Sequence, residues 1–409
     1  MNPVSDSGDV RAPVPSMREL FWYFLKLGWL AFGGPVGQIG LMHLECVERR
    51  RWISEEEFVR VLNFCHVLPG PEATQMSIYL GYRQRGYLAG VMAGVLFILP
   101  GFITLSALAS VYVNYGLRPE VQGVLWGFRP VGLALLLAAM VRIGRAALKS
   151  TFQVVLALAA FVAFFWFHVG FIYVLAACGL IYTLGHRYGG KGAGGAAVLA
   201  AAVLPGRAEA LGPVVSRLFD ISWFFFKAGL VSFGGAYAVL PFIHEGAVIT
   251  YGWIVDHQMV DALALGETTP GPLISIGIFI GYLAGHGVGA PLWGATCAAF
   301  WLFLPSFVFV LAGARHIDAI SSRPGIKEFL SGVTAGVVGL MASVSVLLAR
   351  VAFMPAGHFD GLTLVLGVGA FVLLTLWKWR LNVVVVVLAG GVLGLLRAFV
   401  PALFGGPVP

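Results

Sequence analysis

The pattern "FLKLGWLAFGG" (Phe24 to Gly34) recurs as "FFKAGLVSFGG" (Phe225 to Gly235), and a Pro-Gly-Pro follows each copy, at Pro69–Pro71 and Pro270–Pro272. Aligned on these copies, Lys26 falls on Lys227, His43 on His244 and Trp52 on Trp253; further on, Pro100 of "LPGF" falls on Pro305 of "LPSF". Shared composition does not place a lysine, a tryptophan, glycines and a Pro-Gly-Pro in the same order twice. The chain is therefore two homologous halves, and whatever one half folds into the other must also adopt. The reading is an N-terminal repeat over 17–205, a linker over 206–217 and a C-terminal repeat over 218–409. Residues 1–16 are polar and proline-containing, read as disordered, and lack the charged-then-apolar order of a cleaved signal peptide.

Of the 409 residues 59% are hydrophobic and only 11% charged, against about 25% charged in soluble domains. Too little polar surface remains to cover a soluble protein of this size. The apolar runs are too long for barrel strands and do not alternate. The fold class is an all-α polytopic membrane protein. Its net charge of +7 lies in short loops between apolar segments, which is a topology signal rather than a nucleic-acid surface. The four cysteines, Cys46, Cys65, Cys178 and Cys297, have neither disulfide-framework nor zinc-site spacing. No cofactor or metal motif is present.

Pro-Gly-Pro inside an apolar segment removes backbone donors and forbids a continuous helix. The segment either spans the membrane as a broken helix or enters and returns as a re-entrant hairpin. The basic residues arbitrate. With a hairpin in each half, "ERRRW" (Glu48–Trp52), Arg83, Arg85, Arg142, Arg145, Lys149, Arg315 and Lys327 share one face, while Arg118, Arg350 and Arg397 lie on the other. A continuous span would put "ERRRW" and "RIGRAALK" on opposite faces. The positive-inside rule thus favours two inverted-topology repeats with about ten transmembrane helices, a broken or re-entrant Pro-Gly-Pro segment in each half, the first apolar segment (18–42) as a crossing, and both termini outside.

Inverted repeats with broken helices are the architecture of secondary transporters. Irregular backbone at membrane depth is tolerated only where it is buried in protein or lines a wet cavity. Entering from opposite faces, the two tips are expected to meet near the midplane. Pro71 and Pro272 suit the first position of a new helix, whose free amides and dipole make an anion site. Gly70, Pro71, Thr74 and Gln75 in one copy, and Gly271, Pro272 and Ser275 in the other, are the candidate substrate-binding residues. Lys26 and Lys227 lie within apolar segments, where an ammonium needs a partner or a purpose; the bland alternative is that each snorkels to the interface. Gly33, Gly34, Gly234 and Gly235 loosen the helix or admit another backbone. Glu72 and Glu267 are candidates for proton coupling, although Glu72 also suits the plain stabilisation of a helix start. His43 and His244 read as packing residues, Trp52 and Trp253 as interface anchors.

At "FGGPVGQI", "ERRRWISEEEF", "LPGPEATQMSIYLGY", "FFKAGLVSFGGAYAVLPFI", "ALGETTPGPL" and "LPSF" the chain resembles the chromate ion transporter family, over essentially its whole length. The resemblance implies a long, two-domain carrier of the bacterial inner membrane that exports chromate and confers chromate resistance, driven by the proton gradient or membrane potential. Sulfate, an isosteric dianion, is the implied competitor. The family pattern carries over to Lys26, Gly33, Gly34, Pro69, Gly70, Pro71, Thr74 and Gln75, and to Lys227, Gly234, Gly235, Pro270, Gly271 and Pro272. The role given to Glu267 rests on its own position. The rival readings are sulfate uptake or chromate/sulfate exchange, and, from another class, a membrane enzyme acting on a phosphate head group. The sequence has no P-loop, GxSxG or HExxH motif, so a carrier rather than an enzyme is expected. The expected partners are chromate or sulfate and the lipid bilayer, without nucleic acid; a homodimer is a candidate assembly.

Overall fold

The computed structural model describes residues 14–32, 34–186, 212–233, 235–317, 324–354, 358–376 and 382–400. Gly33, Gly234, residues 1–13 of the N-terminal segment and residues 206–211 of the linker lie outside these. Among the described residues every regular element is helical. The first half contains α1 (Met17–Leu30), α2 (Gly34–His43) running on into a π-helical turn (Leu44–Arg49), α3 (Glu55–Cys65), α4 (Glu72–Tyr115), α5 (Pro119–Ala147), α6 (Thr151–Phe165) and α7 (Phe171–His186). The second contains α8 (Pro213–Val231), a 3-10 turn (Ala236–Val239), α9 (Leu240–His244) with its own π-helical turn (Glu245–Thr250), α10 (Asp256–Thr268), a 3-10 turn (Leu273–Ser275), α11 (Ile276–His286), α12 (Pro291–Gly313), α13 (Pro324–Phe353), α14 (Gly361–Leu376) and α15 (Asn382–Phe399). Within these, α4, α5, α12 and α13 are long and apolar enough to cross a membrane.

The first apolar segment of each half is a hairpin rather than a crossing. α1 enters, the chain breaks beside Phe-Gly-Gly, and α2 with its π-helical turn leads back to the entry end, where the Tyr23 hydroxyl meets Cys46 Sγ at 3.0 Å. Arg50 Nη1 lies 2.7 Å from the Glu19 carboxylate, and its guanidinium stacks over Tyr23 and Trp52 at 5.0 and 4.8 Å. The return needs backbone that only glycine supplies cheaply: Gly34 has φ +77° and Gly235 φ +103°. A second hairpin follows, formed by α3, the Pro-Gly-Pro tip and the first arm of α4. That arm comes back to the starting end, where Arg83 pairs with Glu57 at 2.8 Å, Gln84 donates to the Trp52 carbonyl at 3.0 Å and Arg85 to the Pro15 carbonyl at 2.6 Å. At Gly86 (φ +74°) α4 folds back on itself. Its second arm, 87–115, runs to the far end, where Tyr112 lines a hollow with Trp253, His257 and His286.

Trp52 therefore marks the starting end, rich in arginine, and its repeat partner Trp253 marks the far end. The two halves are inverted, as the loop charges required. α7 closes at the basic end, with Gly185 against Phe152, whereas α8 opens at the far end, with Arg217 donating to the Ala284 carbonyl at 3.4 Å. The described chain starts at the basic end and finishes at the far end, where Arg397 meets Asp360. Placing both termini on one side assumed that 18–42 crosses, and the Glu19–Arg50 contact removes that assumption.

Equivalent glycines allow the same close backbone packing within each half. A Cβ on Gly28 would sit 2.8 Å from the Leu96 carbonyl oxygen and 3.0 Å from Pro100; one on Gly229 would sit 2.4 Å from that of Leu302 and 3.0 Å from Pro305. His43 and Glu55, 2.5 Å apart, tie the first return arm to α3, and His244 and Asp256, at 2.7 Å, repeat this in the second half.

Candidate functional site

Each Pro-Gly-Pro tip closes a broken helix of the other half. The Gly70 amide donates to the Ser232 carbonyl at 2.8 Å, and the Gly271 amide to the Ala31 carbonyl at 3.1 Å. Ala31 and Ser232 cap the ends of α1 and α8, so their carbonyls have no partner further along the helix. At membrane depth an unsatisfied group of this kind costs several kcal/mol, which is why the breaks and the tips occur together. Gly70 (φ +123°) and Gly271 (φ +102°) hold left-handed backbone. Pro71 and Pro272 are extended and stand one residue before the helical turns rather than within them. The tips are wedged against the "LPGF" and "LPSF" helices: a Cβ on Gly70 would lie 2.1 Å from Ser306 Oγ, and Gly271 packs on Gly101. Each tip thus docks on the opposing half's helix break.

A set of buried polar groups surrounds these joints. Gln75 donates to the Pro69 carbonyl at 2.7 Å, and Gln38 bridges the Ala31 and Gly271 carbonyls at 3.0 and 2.8 Å. Their free oxygens, with the hydroxyls of Thr74, Ser232, Ser275 and Ser306, have no hydrogen-bond partner among the described residues. Buried polar atoms are rarely left unpaired, so their collection at two joints marks a place for a polar ligand or water.

The two carboxylates belong to this arrangement. Glu72 opens α4 and faces Gly235, the start of the second return arm; a Cβ on Gly235 would be 3.7 Å from Glu72 Oε1. Glu267, near the end of α10, lines a cavity of about 10 Å³ with Gly34, the start of the first return arm, and with Ala31 and Gly271. The Tyr237 hydroxyl donates to Glu267. Glu72 and Glu267 do not align in the repeat, because one follows its Pro-Gly-Pro and the other precedes it, yet each faces the return arm of the opposite half. Their surroundings differ. Glu267 is enclosed, whereas Glu72 sits at the floor of a cleft of about 1200 Å³ that opens at the basic end, with Arg60, Lys149 and Lys327 on its walls and His66 near Glu72.

The remaining candidates lie elsewhere. Lys26 is exposed on the outer face of α1, opposite the buried Leu27 and Gly28. Lys227 is half-buried, with Nζ 6.0 Å from the Trp223 ring, so it points back along α8 and away from the joint at Ser232. Neither lysine supplies a cation at the tips, because helical side chains lean toward the N-terminus. Gly33 and Gly234 lie outside the described residues. Sequence reasoning missed Gln38, Gly101, Ser232, Tyr237 and Ser306. Ser232 and Ser306 stand in the repeated blocks, opposite Ala31 and Gly101, and small residues at matched positions were the available signal; Gln38 and Tyr237 have no polar repeat counterpart.

The chromate transporter family's sequence pattern matches residues 18–183 and 219–395. A chromate transport protein of Pseudomonas aeruginosa is 38% identical over 395 residues, 93% of this chain and 92% of that one. Chromate transport proteins of Cupriavidus metallidurans (33% identical; 83% and 84% covered) and, as a probable one, Synechococcus elongatus (32%; 83% and 86%) are also similar. No solved structure matches the chain significantly.

Proposed function

We propose that this chain, which belongs to the chromate transporter family, is a multi-pass plasma-membrane carrier that exports chromate from the cytoplasm by alternating access. The observation that carries the reading is the cleft leading from the basic end to Glu72 beneath the first Pro-Gly-Pro tip. The positive-inside rule makes the basic end cytoplasmic, so the cleft describes a carrier open to the cytoplasm. Arg60, Lys149 and Lys327 on its walls raise the local concentration of a dianion.

The bound anion is held near Gly70, Pro71, Thr74 and Gln75, with Ser306 beside them, and the second joint, at Gly271, Pro272 and Ser275, is its counterpart when the carrier faces outward. Uncapped first-turn amides of α4 and orphaned hydroxyls supply donors without committing a fixed positive charge. A carboxylate and a dianion disfavour each other at this depth. Protonation of Glu72 lets the anion bind, and Glu267 plays the equivalent part at the other joint, so a proton travels with each dianion and the pair, still negative by one charge, is driven outward by the membrane potential. Sulfate, with the same charge and tetrahedral shape, competes for the same donors.

Everted vesicles bearing the protein should accumulate labelled chromate when energised, lose that uptake with an uncoupler, and show reduced uptake with excess sulfate. Absence of energy-dependent accumulation would exclude export. Chromate accumulation in right-side-out vesicles instead would favour uptake or exchange.

A further inference from the structure

At the far end a buried ion pair occupies the place that the cytoplasmic cleft occupies at the basic end. Arg129 on α5 grips Asp261 on α10 with both Nε (2.7 Å, to Oδ1) and Nη2 (3.1 Å, to Oδ2), and the Tyr112 hydroxyl donates to Oδ2 at 3.0 Å. The Asp261 side chain is fully enclosed and that of Arg129 only 13% exposed. The pair lies beneath the hollow of about 360 Å³ lined by Tyr112, Gln122, His257 and Gln258.

The alignment that sets Trp52 on Trp253 sets Arg60 on Asp261. The alignment that sets Pro100 on Pro305 sets Gly127 on Gly332 and Arg129 on Thr334; Gly127 packs on Gly390 of α15, and Gly332 on Gly179 of α7. Arg60 and Thr334 both line the open cleft. The same two positions are thus apart on one side and locked together on the other. In an inverted repeat, opening the far side means giving α10 and α5 the separation that α3 and α13 have here. A guanidinium fork that accepts a carboxylate edge also accepts the O–O edge of a tetrahedral oxyanion, so a freed Arg129 is a binding group for such an anion.

We propose that the Arg129–Asp261 pair latches the passage shut on the far side, and that Arg129, once released, takes the tetrahedral oxyanion there, with Asp261 as its resting stand-in. The proposal rests on the carrier reading for its purpose, but its test does not require transport. Leu265, one turn deeper than Asp261 on α10 and buried, is changed to Cys. Labelling by a membrane-impermeant thiol reagent is then timed from the far face, with the signal of the chain lacking this cysteine subtracted. Adding Asp261→Asn should speed labelling about tenfold. Inorganic sulfate should slow labelling of that variant but not of Asp261→Asn combined with Arg129→Gln. Unchanged labelling in a folded Asp261→Asn protein would overturn the latch; equal sulfate effects in both variants would overturn the anion site. If Asp261→Asn does not fold, Tyr112→Phe, which keeps the pair, should still speed labelling measurably, and no change there would overturn the latch as well. A chain that labels as expected but moves no chromate would reject the carrier reading alone.

Discussion

The Gly70 amide and the Ser232 carbonyl, 2.8 Å apart, join a loop of the first half to the end of a helix in the second. Gly271 and Ala31 repeat the joint in the opposite sense. Each half thereby completes the other's broken helix. Neither half can satisfy its own membrane-depth backbone alone, and a movement of one half against the other must carry the tips with it.

Gly70→Ala should strongly reduce folded protein and transport. Its φ of +123° strains any L side chain, at a cost of about 1–3 kcal/mol, and the new methyl would fall 2.1 Å from Ser306 Oγ. Adding Ser306→Gly should recover part of the lost yield by removing the clash but not the strain. Thermal melting of the purified single and double variants checks this, and equal melting of the two would contradict the clash.

Glu72→Gln and Glu267→Gln should each uncouple chromate movement from the proton gradient. Tyr237→Phe should act like a mild Glu267 variant, because it removes only the hydroxyl that donates to that carboxyl. Counting protons released per chromate in proteoliposomes tests the assignment. Full coupling in both carboxyl variants would remove them from the mechanism.

A thiol at Glu19 and another at Arg50 should be bridged by a short bifunctional reagent, since the native side chains meet at 2.7 Å. Helices α1 and α2 laid end to end across the membrane would leave these positions unlinked. Reporter fusions after Tyr115 and after Arg315 should report opposite faces.

Asp360 precedes α14 and accepts bonds from Arg397 at 2.7 Å and Trp126 at 3.1 Å. Burial alone would raise its pKa, but the Arg397 and Thr363 bonds, with that of Trp126, outweigh burial and hold the carboxyl below its ordinary value. A depressed folded pKa stabilises above the unfolded value and is lost as pH falls through the folded one. The melting-temperature gap between the parent and Asp360→Asn should therefore be constant at neutral pH and shrink below about pH 4. A gap that stays constant down to pH 3 would refute the contribution.

Much of this protein was legible in its residues. Apolar composition dictated helices in a membrane, because a chain so poor in charge cannot cover itself in water. The doubled Phe-Gly-Gly and Pro-Gly-Pro blocks dictated two like halves with breaks at matched places, since proline and glycine act on their own backbone wherever they stand. The uneven arginines and lysines dictated inversion. Tertiary structure decided what the breaks are joined to. Local sequence says that Ala31 and Ser232 end helices, not that the missing donors come from Gly271 and Gly70 across the pseudo-symmetric interface. It likewise could not show that Glu72 and Glu267, out of register in the alignment, face matching return arms, nor that Lys26 and Lys227 turn away from the joints. Hydrogen-bond satisfaction at membrane depth is a property of the assembled pair of halves, and only their packing assigns each orphaned group its partner.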